Sequence, residues 1–187
     1  KILLMIRKSM FSADAWRVLG SAYFYLKQYN DAIQAYREAL RIQPDDFSAW
    51  NLLGSAYNFL KQYDQAIQSY REALRIQPED FSAWHNLGNA YDDLKQYDQA
   101  IQAYRQALRI QPLFDTWYSL GGAYTSLKQL DQAAQAYREA LRIQPEHTNA
   151  WYSLGIVYFL QDQRDKMREI HQILRKLDPA LAEKYFN

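Results

Sequence analysis

Tryptophan and proline keep a fixed distance in this chain, and that regularity narrows the fold more than any other feature. Trp16, Trp50, Trp84, Trp117 and Trp151 are each followed, 28 residues later, by Pro44, Pro78, Pro112, Pro145 and Pro179. Those are all five Trp and all five Pro of the 187 residues. Gly20, Gly54, Gly88, Gly121 and Gly155 stand four residues after each Trp, so only Gly122 lies outside the pattern. Self-similarity at a period of 33 to 34 residues marks a repeat array, and it outranks any reading of one segment alone.

The second unit shows what is being repeated. Trp50, Leu53, Gly54 and Tyr57 fall at i, i+3, i+4 and i+7, one stripe of an α-helix. Ala66, Tyr70, Ala73 and Leu74 make a second stripe, but the six-residue step from Leu60 to Ala66 breaks the phase between them. The chain is expected to turn there, with Asp64 as N-cap of the second helix and Asn30, Asp98, Asp131 and Asp165 at the same place elsewhere. The residue before each Pro is driven out of the α region, which ends that helix. Asp46 and Asp80 can then cap the next first helix. Each unit reads as a helical hairpin. Gly54, Ala66 and Ala73 let its helices approach closely, while Trp50, Tyr57 and Tyr70 fill the space around them. One hairpin cannot bury both of its apolar faces, so neighbours must stack into a solenoid.

Trp-x2-Leu-Gly-x2-Tyr, followed by Ala-x3-Tyr-x2-Ala-x4-Pro, resembles the tetratricopeptide repeat (TPR) family over roughly residues 13–179. The resemblance implies an all-α fold, a right-handed α-solenoid of stacked antiparallel helix pairs, with units at 13–46, 47–80, 81–113, 114–147 and 148–177. Residues 178–187 are expected to form a capping helix with Asp178 as N-cap, Pro179 as first residue, and Leu181 and Tyr185 facing inward. Residues 1–12 read either as the remnant of a preceding second helix, Ile2 and Met5 falling where Tyr36 and Ala39 fall in the next unit, or as a trimmed edge that happens to be helical. Two departures stand out. Lys27, Lys61, Lys95 and Lys128 occupy the end of the first helix, where the family often carries Gly. The link from Pro112 to Trp117 is also one residue shorter than its counterparts.

Composition excludes several classes. Lys and Arg number 22 against 21 Asp and Glu, a net charge of +1, which lacks the basic excess that nucleic acid demands. The absence of Cys removes disulfides and thiol chemistry and leaves the compartment undecided. No apolar run reaches membrane-spanning length, so no membrane insertion is expected, and a soluble, cytoplasmic protein is the default. His85, His147 and His171 lie in different units, read as a groove residue, a loop residue and a packing substitute for Tyr. No metal, cofactor or catalytic residue is expected, and the chain does not read as an enzyme.

The second helices of the first four units barely vary. Their Arg37, Arg71, Arg105 and Arg138, continued by Arg41, Arg75, Arg109 and Arg142, read as a solvated outer face with nearby Glu partners. Variation is concentrated on the first helices. Asp14 precedes its Trp by two residues; Arg17, Asn51, His85, Tyr118 and Tyr152 follow theirs by one. Ser21, Ser55, Asn89, Gly122 and Ile156 follow by five, and Phe24, Asn58, Asp92, Thr125 and Phe159 by eight. Spacings of 3 and 4 put these on one helical stripe, about 100° from the buried one. Phe59 and Asp93 adjoin it.

In the family this chain resembles, that stripe lines a concave groove holding a peptide or helix of another protein. Phe24, Phe59, Tyr118, Tyr152 and Phe159 offer aromatic contact area, and Asp92 with Asp93 makes the centre acidic. The family's clamp for acidic chaperone tails needs Lys, Asn and Arg on successive first helices; only Arg17 and scattered Asn remain, so that partner class is not expected. The expectation is a scaffold or adaptor binding an apolar or aromatic segment with a neutral or basic centre. The rivals are a recognition domain of a larger enzyme or assembly factor, and a structural solenoid that self-associates through its ends.

Overall fold

The computed structural model describes residues 12–186, and among them every regular element is an α-helix. The chain divides into two compact units, Lys1–Lys95 and Gln96–Asn187. The first holds α1 (Ala13–Tyr25), α2 (Tyr29–Ile42), α3 (Phe47–Phe59), α4 (Tyr63–Ile76) and α5 (Phe81–Asp93). The second holds α6 (Tyr97–Ile110), α7 (Phe114–Ser126), α8 (Leu130–Ile143), α9 (Thr148–Leu160), α10 (Arg164–Leu177) and α11 (Pro179–Phe186). Within each unit every helix packs on the next, as consecutive antiparallel pairs; in the first, α1 also touches α3 and α3 touches α5.

The repeated glycine has a specific cause. A Cβ added to Gly54 would sit 2.6 Å from Cε1 of Tyr70, and one on Gly20 would stand equally close to Tyr36. The tyrosine ring of the second helix lies against the backbone of the first and leaves no room for a Cβ unless it shifts. Tyr36 and Tyr70 are fully buried as a result. Burial pushes the Tyr70 phenol up to about 12, against a smaller opposing effect of its bond to Ser55.

The turn inside each hairpin is shorter than the sequence reading supposes. Lys61 sits at φ 58°, Gln62 N donates to Tyr57 O at 2.9 Å and Lys61 N to Asn58 O at 2.9 Å. That pairing is a Schellman closure with Lys in the left-handed place usually held by Gly. Lys27, Lys95 and Lys128 share the geometry, as does Asp162 in the last hairpin. The chain re-enters a helix at once, so the second helices are capped by Gln28, Gln62, Gln96, Gln129 and Gln163 with no side-chain bond. Asn30, Asp64, Asp98, Asp131 and Asp165 are therefore not N-caps. They stand one residue inside the helix, where the carboxylates of the four Asp meet the positive end of the helix dipole.

First helices are capped as expected: Asp46 Oδ1 accepts from Ala49 N at 3.0 Å and Asp80 Oδ1 from Ala83 N at 2.7 Å. His147, read as a plain loop residue, does the same for α9 through Nδ1. The tryptophans are only half-buried, and three of them keep the indole N–H outward on the preceding link. Trp50 Nε1 donates to Pro44 O at 2.8 Å, and Trp84 and Trp151 repeat the bond with Pro78 and Pro145. Among the described residues Trp117 makes no such bond.

At the C-terminal end Asp178 Oδ1 accepts from Leu181 N at 3.0 Å and Pro179 opens α11. Ala182 is the buried residue there and Leu181 is half-buried, so the inward position falls one residue later than the spacing suggests. The expectations for Ile2 and Met5 lie outside the described residues, and that for Tyr185 outside the described side chains.

Candidate functional site

The first helices divide their residues between two faces. Leu53, Gly54 and Tyr57 of α3 are buried, whereas Asn51, Ser55 and Asn58 of the neighbouring stripe stay half-exposed. The same split holds in α5, α7 and α9, so the stripe is accessible in each unit.

In the first unit the stripe forms three rows across α1, α3 and α5. The row nearest the helix starts is Arg17, Asn51 and His85. Arg17 is already engaged, with Nη2 2.6 Å from Asp14 and Nε 3.3 Å from Asp46. Its hydrogen bond with Asp14 raises its pKa, opposed by partial desolvation. His85 Nε2 lies 3.1 Å from Asn89 Nδ2, and its ring stacks on Phe81 at 5.8 Å. The middle row ties the stripe to the core. Ser21 and Ser55 donate to the carbonyls of Arg17 and Asn51, and accept from the buried Tyr36 and Tyr70 hydroxyls at 3.4 and 3.3 Å. These serines hold the hairpin together as much as they face outward.

The third row runs from aromatic to acid. Phe24 meets Phe59 edge-on at 5.2 Å and Tyr29 at 5.3 Å, while Tyr29 stacks on Phe59 at 5.1 Å. Phe59 remains 60% exposed. Asn58 stands in the middle, its Oδ1 occluded and without a hydrogen-bond partner, as is Asn51 Oδ1. At the far end, burial and then the neighbouring Asp93 raise the pKa of Asp92 above the ordinary carboxylate value. Asp93 itself is exposed.

In the second unit, Tyr118 is drawn into packing. Its ring lies 5.9 Å from Phe114, 5.6 Å from Tyr137 and 5.8 Å from His147, and its hydroxyl is 3.3 Å from Ser153 Oγ. Thr125 donates to Gly121 O at 2.8 Å, and a Cβ on Gly122 would stand an ordinary 3.9 Å from the Tyr137 hydroxyl. Tyr152 and Ile156 are half-exposed, and Phe159 is 68% exposed. Phe159, rather than Tyr118, is thus the free aromatic of this unit's stripe.

Sequence reasoning missed Tyr25 and Tyr29. Tyr25, one residue beyond the third row, is highly exposed, and Tyr29 completes the Phe24–Phe59 cluster although it begins a second helix. The signal was present: position nine after each Trp reads Tyr25, Phe59, Asp93, Ser126 and Leu160, aromatic only at the start of the chain. Among the described residues no group of three or more His, Cys, Asp or Glu is placed to hold a metal ion, and no helix is long and apolar enough to cross a membrane.

The comparisons agree with this geometry. The model of the cilia and flagella-associated protein 70 C-terminal domain matches residues 45–169, and a TPR repeat model matches residues 20–58. No curated protein matches the sequence. Among solved structures, the crystal structure of a MamA protein is 24% identical, covering 92% of this chain and 94% of that one, with a TM-score of 0.86. A MamA from Desulfovibrio magneticus RS-1, from residue 41 to its end, is 22% identical with a TM-score of 0.84, covering 90% of this chain and 96% of that one. YrrB, described as a TPR protein with an unusual peptide-binding site, is 20% identical with a TM-score of 0.84, covering 97% of this chain and 95% of that one. At such identities the likeness is one of fold. The first model spans more than half of the sequence, so the chain belongs to the tetratricopeptide repeat family, in the group described by the cilia and flagella-associated protein 70 C-terminal domain.

Proposed function

We propose that this chain is a protein-interaction scaffold whose first-helix stripe receives a peptide or helical segment of another protein. The family match and the shared fold support a scaffold in general terms, and YrrB, with its described peptide-binding site, is a precedent for the fold. The observation that carries the finer reading is the third row of the first unit, which passes from Phe24 and Phe59 through Asn58 to Asp92. An aromatic edge left 60% exposed is the type of surface that anchors partners. A half-buried carboxylate pushed toward protonation is relieved by an incoming cation. The matching ligand carries an aromatic or aliphatic anchor followed by a Lys or Arg. No catalytic step enters this reading.

A displayed peptide library selected on the full chain, with hits re-synthesised and measured by fluorescence anisotropy, tests it. Hits should be enriched in an apolar residue followed by a basic one. Phe59→Ala should weaken them about tenfold, the range of an interface anchor of ordinary strength. Binding should also fall as pH drops through the raised pKa of Asp92, since protonation removes the charge that the basic residue meets. Hits that ignore Phe59→Ala and Asp92→Asn, with helicity intact, would move the binding surface elsewhere.

A further inference from the structure

Several arginines of the second helices are not neutralised as their sequence context suggests. Arg41, Arg75 and Arg142 do pair with Glu38, Glu72 and Glu139 at 3.0, 2.9 and 3.1 Å. Arg37, Arg71 and Arg105 instead lie over the rings of Tyr57, Tyr91 and Tyr124, each guanidinium carbon 5.8 Å from the centroid. Arg37 Nη2 donates to the Tyr57 hydroxyl at 2.6 Å. A phenol accepts one of the five N–H donors of a guanidinium and cancels none of its charge.

A cleft opens beside these side chains in each unit. In the first it measures about 800 Å³ between α2 and α4, floored by Trp50, Leu53 and Tyr57 of α3. In the second it measures about 370 Å³ between α6 and α8, floored by Trp117, Leu120 and Tyr124 of α7. The two linings occupy equivalent repeat positions, and none of the stripe residues belongs to either. Leu53 and Tyr57 are buried, so Trp50 is the accessible apolar part of the first floor. Exposed Gln65 and Gln68 stand on one wall, as Gln132 and Gln135 do in the second cleft.

The charge of both clefts is one-sided. In the first, Arg37 and Arg71 lie over tyrosine rings, beside two closed pairs, Arg41 with Glu38 at 3.0 Å and Arg75 with Glu72 at 2.9 Å. In the second, Arg105 lies over the Tyr124 ring and no carboxylate is among the lining residues. We propose that these clefts bind an acidic, extended segment of a partner protein, on a face separate from the stripe. Its carboxylates lie on Arg37 and Arg71 in the first cleft and on Arg105 in the second, an apolar side chain covers the tryptophan, and its peptide groups bond the glutamine amides. A peptide fits better than a nucleic acid, because paired amides beside an apolar floor suit a main chain and the net charge of +1 supplies no phosphate-binding excess.

The test uses the full chain and a fluorescein-labelled peptide of alternating Glu and Leu, followed by anisotropy. Binding should appear for this probe, weaken with added salt, and be absent for the Gln/Leu and Lys/Leu counterparts. Gln68→Glu with Gln135→Glu should weaken it at least tenfold, and Gln68→Lys with Gln135→Lys should tighten it. Phe59→Ala with Phe159→Ala, on the stripe, should leave it unchanged, which separates this proposal from the peptide site above. Circular dichroism confirms that each variant keeps its helix content. Equal binding of the Glu/Leu and Gln/Leu peptides, the same response to both charge changes, or tighter binding of a single-stranded oligonucleotide overturns the proposal, as does no binding at all.

Discussion

Helices α1 and α3 carry the same pattern, yet only α3 buries it. Leu53 is 3% exposed and its counterpart Leu19 is 39% exposed. Ala56 is buried where Ala22 is exposed, and Leu60 is half-buried where Leu26 is exposed. The two hairpins close alike: Gly20 meets Tyr36 as Gly54 meets Tyr70, at 2.6 Å in each case. What separates them is α2, which covers α3 from the previous hairpin, while no helix precedes α1 among the described residues. A hairpin of this chain therefore makes its own seam but borrows half of its core from its neighbour. That is the physical content of a repeat array, in which stability resides in interfaces between units as well as in units.

The largest expected effect tests the borrowed half. Leu53→Ala should cost about 2–4 kcal/mol in urea unfolding followed by circular dichroism, the usual loss for a buried leucine, and Leu19→Ala about 1 kcal/mol. Equal losses would mean that the N-terminal face is covered in solution.

The next effect should be indifferent to position, because the seam lies inside the hairpin. Gly54→Ala and Gly20→Ala should each cost about 1–3 kcal/mol, as overpacking against a ring with little room to retreat. If Gly20→Ala is harmless while Gly54→Ala is not, the first hairpin is looser than its geometry says. The smallest effect has the opposite sign. Lys61→Gly and Lys27→Gly each relieve a left-handed residue and should raise stability by up to about 1 kcal/mol, the strain removed less the added chain entropy. A drop in melting temperature at either site would point to a role for the lysine side chain that outweighs its backbone strain.

The fold was legible because its rules are carried by residues with few alternatives. Trp, Gly and Pro at a fixed period announce helix contact, close approach and helix end, and the structure uses them so. The turn was misplaced because Asp64 is an equally good cap and first-turn residue; only the left-handed Lys61 decides between the two. The candidate site was legible as a stripe but not as a set of roles. Spacing locates Tyr118 and Ser55 correctly on the accessible side, yet says nothing of the Phe114–His147 cluster or the Tyr70 hydroxyl that hold them. The Arg37 and Arg71 part of the arginine stripe was misread for a similar reason, while Arg41, Arg75 and Arg142 do meet a Glu. Glu38 and Glu72 adjoin Arg37 and Arg71 in sequence, but a tyrosine from the next hairpin stands beside each of these arginines, and that partner is invisible to local spacing.

The indole bond to proline has one more consequence. It spans six residues, from Pro44 to Trp50 and again from Pro78 to Trp84 and Pro145 to Trp151, so it works as a gauge for the length of each connector. Between Pro112 and Trp117 the connector is one residue short and the gauge does not close; there Phe114 sinks into the interior instead. Where the chain can gain or lose a residue between hairpins is thus written into a single ring nitrogen.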